Sequence, residues 1–433
     1  MKRWLVVLLV LLALLILIAP GIVGRLAEDN IAQNIEWAEH DSPGVIIETE
    51  LFDRGWFTSE GRHRVVFDGV EFTDAADQYQ AATGNPELPS LIIDTSLDHG
   101  PLPGGTPGIA TTYSTFQIDP GNGQVIDVPG QLTSRVSLGG TTTADLVIEP
   151  GTFDHEDARL EWQGVEMTFV SNPSSGAIAV DGQVMPLEVS ADSERFSIGA
   201  TTITADQTRS AFGFNVGTVD VKVGELRMEE PASLVTIDGI SLTAVSSIVD
   251  DRVSAASTFA IDRIAVPAIG DVNFDMDIAF SDIDAASAAV IGKALQDAQG
   301  SMDPEAALQA MYPDIEEEVE TLFRRGFSMK MEQFDVTLPQ GVVASRIDLQ
   351  VPPMDDDSAF DWSTVLLNMT ADIDVRIPGP IYEMIAMMNA QAGSLVAMGI
   401  LKQDGGDYVM EAEYAQGLVN VNGSPMPIPM PGM

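Results

Sequence analysis

Between Asp271 and Phe280 the chain reads Asp-Val-Asn-Phe-Asp-Met-Asp-Ile-Ala-Phe, so apolar residues fall on every second position and acids or amides fill most of the others. A side-chain period of two belongs to extended strand, which sends the two classes to opposite faces. The alternation returns at Val343, Ile347, Leu349 and Val351 with Arg346, Asp348 and Gln350 between them, and at Ile373, Val375 and Ile377 against Asp372, Asp374 and Arg376. Such strands predict an antiparallel sheet with one wet and one apolar face. An apolar face of that extent needs a cover.

The period shifts to two from Val45 onward, and the pairs Asp68-Gly69, Asp181-Gly182, Asp238-Gly239 and Asn422-Gly423 read as type I′ hairpin turns, whose two central residues need positive φ. Two helical stretches are candidates for the cover. The region 283–325 divides into an Ala-rich piece ending near Gly300 and a second piece with Asp303 as N-cap and Pro304 at the first helical position. Leu308, Met311, Ile315, Val319 and Leu322 form the stripe of the second piece, which Pro313 is expected to bend or split. The stretch 379–401 places Ile381, Met384, Ile385, Met388, Leu395 and Met398 on or near one face and has Glu383 as its one charge. Its Ala, Gly and Met content is weakly hydrophobic, so it reads as a helix buried on the sheet and not as a membrane span.

At the other end of the chain, Lys2 and Arg3 precede an apolar run over residues 4–23, about 20 residues and enough for a bilayer core of roughly 30 Å. By the positive-inside rule the N-terminus stays in the cytoplasm and the chain after Arg25 lies outside. The run is longer than a secretory h-region, so residues 1–24 are expected to be an uncleaved transmembrane signal anchor, with 25–433 as the body. Leu26, Ile31, Ile35 and Ala38 extend it as a short amphipathic helix. The expected fold class is α+β, mainly β: one N-terminal transmembrane helix, then an elongated antiparallel β-sheet body covered on one face by a few helices.

Sixty-five acids against 21 bases give a net charge of −44. Nucleic acid and anionic membrane surfaces are poor partners for such a chain, because phosphate binding needs a cationic surface that displaces counterions. The acids are spread along the whole length, the pattern of a halophilic protein whose self-repulsion is screened by salt. With no cysteine there are no disulfides, zinc-thiolate sites, thiol nucleophiles or lipid-modified cysteine. His40, His63, His99 and His155 lie far apart, and the signatures of zinc hydrolases, nucleophile-elbow esterases and P-loops are missing. The acidic runs lack the spacing of an EF-hand loop. No metal and no cofactor are expected.

Three segments carry a resemblance. They are Asp53-Arg54-Gly55-Trp56-Phe57-Thr58-Ser59, Ser96-Leu97-Asp98-His99-Gly100-Pro101-Leu102-Pro103, and the stretch from Tyr414 through Asn422-Gly423 to Met426. Together with the apolar N-terminus they resemble, in the same order, the YdgA family of bacterial envelope proteins; Thr58 stands where that family has a serine. The resemblance implies an inner-membrane anchor with a periplasmic body and brings no catalytic residues. The motif residues it singles out are Arg54, Gly55, Trp56, Phe57, Ser59, Asp98, His99, Gly100, Pro101, Asn422 and Gly423.

These features are those of a non-enzymatic protein that holds a lipid or other apolar ligand on its sheet in envelope maintenance, with Met384, Met387, Met388 and Met398 as candidate contacts. The alternative is a structural module that binds envelope proteins or itself as a homo-oligomer. Asp98 and His99 keep a hydrolase open as a third reading, although a dyad needs a nucleophile and an oxyanion hole as well.

Overall fold

The computed structural model describes residues 44–54, 58–68, 72–73, 76–77, 80, 88–99, 103–121, 125–155, 158–191, 194–231, 233–266, 270–299, 304–355 and 359–426. These hold 24 strands and five α-helices, and the strand pairs with a defined register are all antiparallel. The chain divides into two compact units: residues up to 209 with 223–233, and residues 210–222 with 234–433.

In the first unit β1 (Val45–Arg54), β2 (Thr58–Phe67), β3 (Ser90–His99), β4 (Ala110–Asp119), β5 (Ile126–Val136) and β6 (Thr142–Ile148) pair in sequence. The ladder continues from β6 to β9 (Val165–Asn172), β10 (Ala177–Val184) and β13 (Thr201–Arg209). A second ribbon joins β7 (Gly151–His155), β8 (Ala158–Trp162), β11 (Leu187–Ala191) and β12 (Glu194–Ile198) to the C-terminal half of β14 (Asn215–Glu230). The first ladder curls on its apolar face: Val45 of β1 and Phe169 of β9 belong to one core, in which Leu91, Leu132, Leu146 and Phe169 are each only 1% exposed. Strands supply most of that core, with Leu88 before β3 and the helical residues Phe72 and Ala76 packed against it.

In the second unit β15 (Ser233–Val249), β16 (Arg252–Val266), β17 (Gly270–Asp284), β18 (Phe327–Leu338), β19 (Gly341–Val351) and β20 (Thr370–Pro378) form a meander. It continues through β22 (Asp407–Ala415), flanked by β21 (Lys402–Asp404), to β23 (Leu418–Val421) and β24 (Ser424–Met426). Helices α1 (Ala285–Gln299) and α2 (Pro304–Arg325) interrupt it after β17, α3 (Trp362–Asn368) precedes β20, and α4 (Gly379–Met388) and α5 (Ala390–Ala397) follow it.

The expected architecture needs two corrections. No helix among the described residues is long and apolar enough to cross a membrane. The longest, α2, spans 22 residues but carries Asp314, Glu316, Glu317, Glu318 and Glu320, a charge load that hydrocarbon does not tolerate. A fold class led by a transmembrane helix, and with it a single-pass inner-membrane location with a periplasmic body, therefore finds no support in the structure; the anchor expected over 1–24 lies outside the described residues. Nor do helices cover the sheet. Helices α1 and α2 lie mainly against each other and approach the sheet at β17, while α4 meets β20 and β22. The stretch 379–401 is not one helix buried on the sheet: it breaks at Asn389 into two short helices that bury Ile381, Tyr382 and Ala392 on one side, while Met387 and Met388 are each 84% exposed.

Candidate functional site

The meander of the second unit lines up its alternating residues in cross-strand rows. One row reads Leu242, Phe259, Met276, Phe334, Ser345, Val375 and Met410, from β15 to β22. The next reads Ala244, Ser257, Ile278, Met331, Ile347, Ile373 and Ala412, ending on Val421 of β23. A third reads Ser246, Ala255, Phe280, Met329, Leu349, Ala371, Tyr414 and Val419. On the other side of the first lies the row Ile240, Ile261, Phe274, Val336 and Val343, which Ile377 and Tyr408 prolong. No member of the four rows is charged. Seven strands at about 4.8 Å spacing make this floor about 29 Å wide, and three two-residue steps make it about 20 Å along the strands.

A β-bulge keeps the floor continuous. In β18 Met329 and Met331 alternate normally, but Phe334 follows after two intervening residues, Glu332 and Gln333, which stand opposite Arg346 alone on β19. The extra residue restores Phe334 and Val336 to the apolar side. Phe274 then makes an edge-to-face contact with Phe334 at 5.3 Å and a tilted one with Phe259 at 5.6 Å.

The opposite face is acidic. Asp348, Asp372 and Glu413 stand side by side across three strands, next to a row of Arg346, Asp374 and Glu411. Lys330 reaches Asp348 at 3.5 Å and Arg376 reaches Asp407 at 3.0 Å.

What sets the apolar face apart is its exposure. The first unit holds a core of fully buried apolar residues, whereas every member of the four rows except Val421 retains partial exposure to solvent. One end is closed. Beyond the row of Phe280 and Leu349, Val351 is buried, Tyr414 donates its hydroxyl to the Leu366 carbonyl of α3 at 2.6 Å, and Phe323, Phe327, Phe360 and Trp362 form an edge-to-face cluster with centroids 5.0–5.3 Å apart. Burial raises the Tyr414 phenol above its ordinary value. At the other end Tyr408 stacks on Tyr382 of α4 at 3.8 Å.

The residues singled out by motif lie elsewhere. Asp98 stands between Thr58 of β2 and Thr111 of β4, and His99 ends β3 opposite Ala110. Arg54 ends β1 opposite Ser59, which is buried; Gly55, Trp56, Phe57, Gly100 and Pro101 lie outside the described residues. Asn422 and Gly423 form the two-residue turn between β23 and β24, both with positive φ. Met384, Met387, Met388 and Met398 are not on the sheet but exposed on and after the helix pair. No group of three or more metal-ligating side chains is present among the described residues. The signal that marks the apolar rows was present in the sequence as alternation, but which rows align across strands required the register.

The fold and face define an antiparallel β protein with an exposed apolar floor, and no recognised reaction centre among the described residues. The chain belongs to the family described as Bacterial protein of unknown function (DUF945), whose model matches residues 1–429. It is similar to Protein YdgA of Escherichia coli (strain K12), with 21% identity over 180 residues, which cover 37% of this chain and 36% of YdgA. The match thus spans about a third of the length of that curated relative, and the resemblance read from the motifs stands. No solved structure matches.

Proposed function

We propose that the protein is a non-enzymatic binder of an elongated apolar ligand of the acyl-chain class, seated on the rows that run from β15 to β22. The observation that carries this reading is the four uncharged rows that stay partly exposed along their whole width, while the other unit of the same chain closes a core of fully buried apolar residues. Apolar surface left in water costs about 25 cal/mol per Å², so a chain-like ligand laid on the floor recovers that cost. Phe and Met side chains repack around guests of varied shape. The acids of the opposite face keep such a protein soluble and disfavour stacking of its sheets.

The test is titration of the full, delipidated chain with a fluorescent fatty acid, together with mass spectrometry of lipid that co-purifies. Saturable binding is expected, and Ile347→Asp combined with Met276→Asp, which puts charge in the middle of the floor, should abolish it; Asp277→Asn on the opposite face should leave it unchanged. Absence of binding by the unmodified chain, or equal binding by the floor variant, would overturn the reading. Discrete protein adducts on cross-linking, without lipid, would favour an interaction module instead.

A further inference from the structure

Between Arg376 and Lys402 the chain carries a single charge, Glu383, although charged residues make up 20% of the whole. This stretch is the helix pair α4–α5. Its inward side holds Ile381, Tyr382 and Ala392, all buried, with the Tyr382 hydroxyl donating to the Ala392 carbonyl at 3.0 Å. Its outward side is apolar as well: Met384, Met387 and Met388 fall at i, i+3 and i+4 on one helix face, and 37%, 84% and 84% of their surface is open. Helix pairs on a soluble surface normally turn charge outward.

The pair is also firmly mounted. Gly379 donates its N–H to the Gly406 carbonyl at 3.0 Å at one end, and the Asn422 side-chain amide donates to the carbonyls of Gly399 and Ile400 at 3.0 Å at the other. Through the Tyr382–Tyr408 stack it is continuous with the open end of the apolar floor, opposite the end closed by Val351 and the aromatic cluster.

We infer that α4–α5 is the mouth of the apolar floor and docks on a lipid surface of zwitterionic headgroups. The inference rests on the reading of the floor as a ligand seat. Electrostatics choose the surface: a chain of net charge −44 is repelled by anionic lipid, whereas an uncharged Met patch enters a neutral interface without desolvating charge. Methionines suit the irregular packing of acyl chains. A ligand taken up at this point passes from lipid to the Tyr408 end of the floor over apolar groups.

The chain has no cysteine, so single labels can be placed without removing native thiols. Met387→Cys, labelled with a polarity-sensitive fluorophore in the full chain, should shift to the blue and brighten severalfold on addition of phosphatidylcholine vesicles. The same label at Leu138→Cys, an exposed turn position of the first unit, should not change. In unlabelled protein, Met387→Asp with Met388→Asp should slow uptake of a pyrene-labelled lipid from those vesicles at least tenfold while equilibrium binding of dispersed fluorescent fatty acid is kept. No shift at 387, equal shifts at both positions, unaltered uptake, or a shift produced by raising protein concentration without vesicles would overturn the inference, the last assigning the patch to a second copy of the chain. If dispersed fatty acid fails to bind the unmodified chain, the ligand-seat reading falls first, and a 387-specific shift would then leave a lipid-docking patch without a floor to serve.

Discussion

Asn422 engages Glu411 twice: its backbone N–H donates to the Glu411 carbonyl at 2.7 Å, and its side-chain oxygen accepts the Glu411 N–H at 3.0 Å. The side chain thus completes a ladder rung that the turn backbone cannot, while its amide holds Gly399 and Ile400.

Asn422→Ala removes three side-chain hydrogen bonds and places alanine at φ 50°. A loss of about 2–3 kcal/mol is expected, measured by urea unfolding of the full chain. Asn422→Asp keeps the acceptor but loses the two amide donations, and should fall between the two.

Gly151 pairs with Trp162, whose indole lies over the glycine and donates to the Glu149 carbonyl at 2.8 Å. A methyl group at 151 would run into the ring. Gly151→Ala should cost about 1–3 kcal/mol by overpacking and alter the near-ultraviolet circular dichroism; Gly140→Ala, at a positive-φ turn with open space, tests the backbone term alone.

Asp284 links α1 to α2. Burial opposes its charge, but the Ser287 N–H and hydroxyl, each at 2.8 Å, and the Arg325 guanidinium hold its carboxyl below the usual range. Because the folded-state value is depressed, the stability it supplies is complete above the unfolded carboxylate pKa of about 3.9 and is lost as pH falls through the folded value. Asp284→Ala should be less stable by about 2 kcal/mol at neutral pH. Acid titration of both proteins should bring the two unfolding curves together below about pH 4.

The row of Asp348, Asp372 and Glu413 sets like charges directly across neighbouring strands, an arrangement that repels. With a net charge of −44, the thermal midpoint should climb by several degrees as potassium chloride rises from about 0.1 M to about 1 M and the Debye length falls from about 10 Å to about 3 Å. Calcium at millimolar concentration should add little beyond its ionic strength. A midpoint flat in potassium chloride but raised by calcium would make specific cation ligands of these acids.

Much of the fold was legible because alternation is a strong signal. The run 271–280 lies within β17, 343–351 within β19 and 372–377 within β20, and the region read as a broken helix over 283–325 forms α1 and α2. Turn chemistry was less readable. Asn422-Gly423 does turn, but Asp181-Gly182 lies inside β10, where Met167 of the neighbouring strand fills the space above the glycine, and Asp238-Gly239 lies inside β15. The turn from β15 to β16 is instead Asp250-Asp251, both at positive φ, residues for which local propensity gives only a weak signal. The exposure of the floor was not legible at all. A helix stripe records that it must be buried but not against what, so nothing in Leu322 or Met311 told that α2 would turn to α1 and leave the sheet open.

The bulge at Glu332 and Gln333 gives β18 a property akin to a reading frame. A strand has parity, odd positions up and even positions down, and the bulge shifts it by one between Met331 and Phe334. Loss of either bulge residue would leave β18 regular, with Phe334 and Val336 still on the apolar floor, whereas loss of a residue beyond the bulge, such as Asp335, would carry Val336 onto the acidic face and every later side chain to the other side. Substitutions in this hairpin are graded in their effects, whereas a single-residue deletion is absorbed at the bulge but inverts the rest of the strand when it falls outside it. Tolerance of change along β18 is therefore a matter of counting as much as of chemistry.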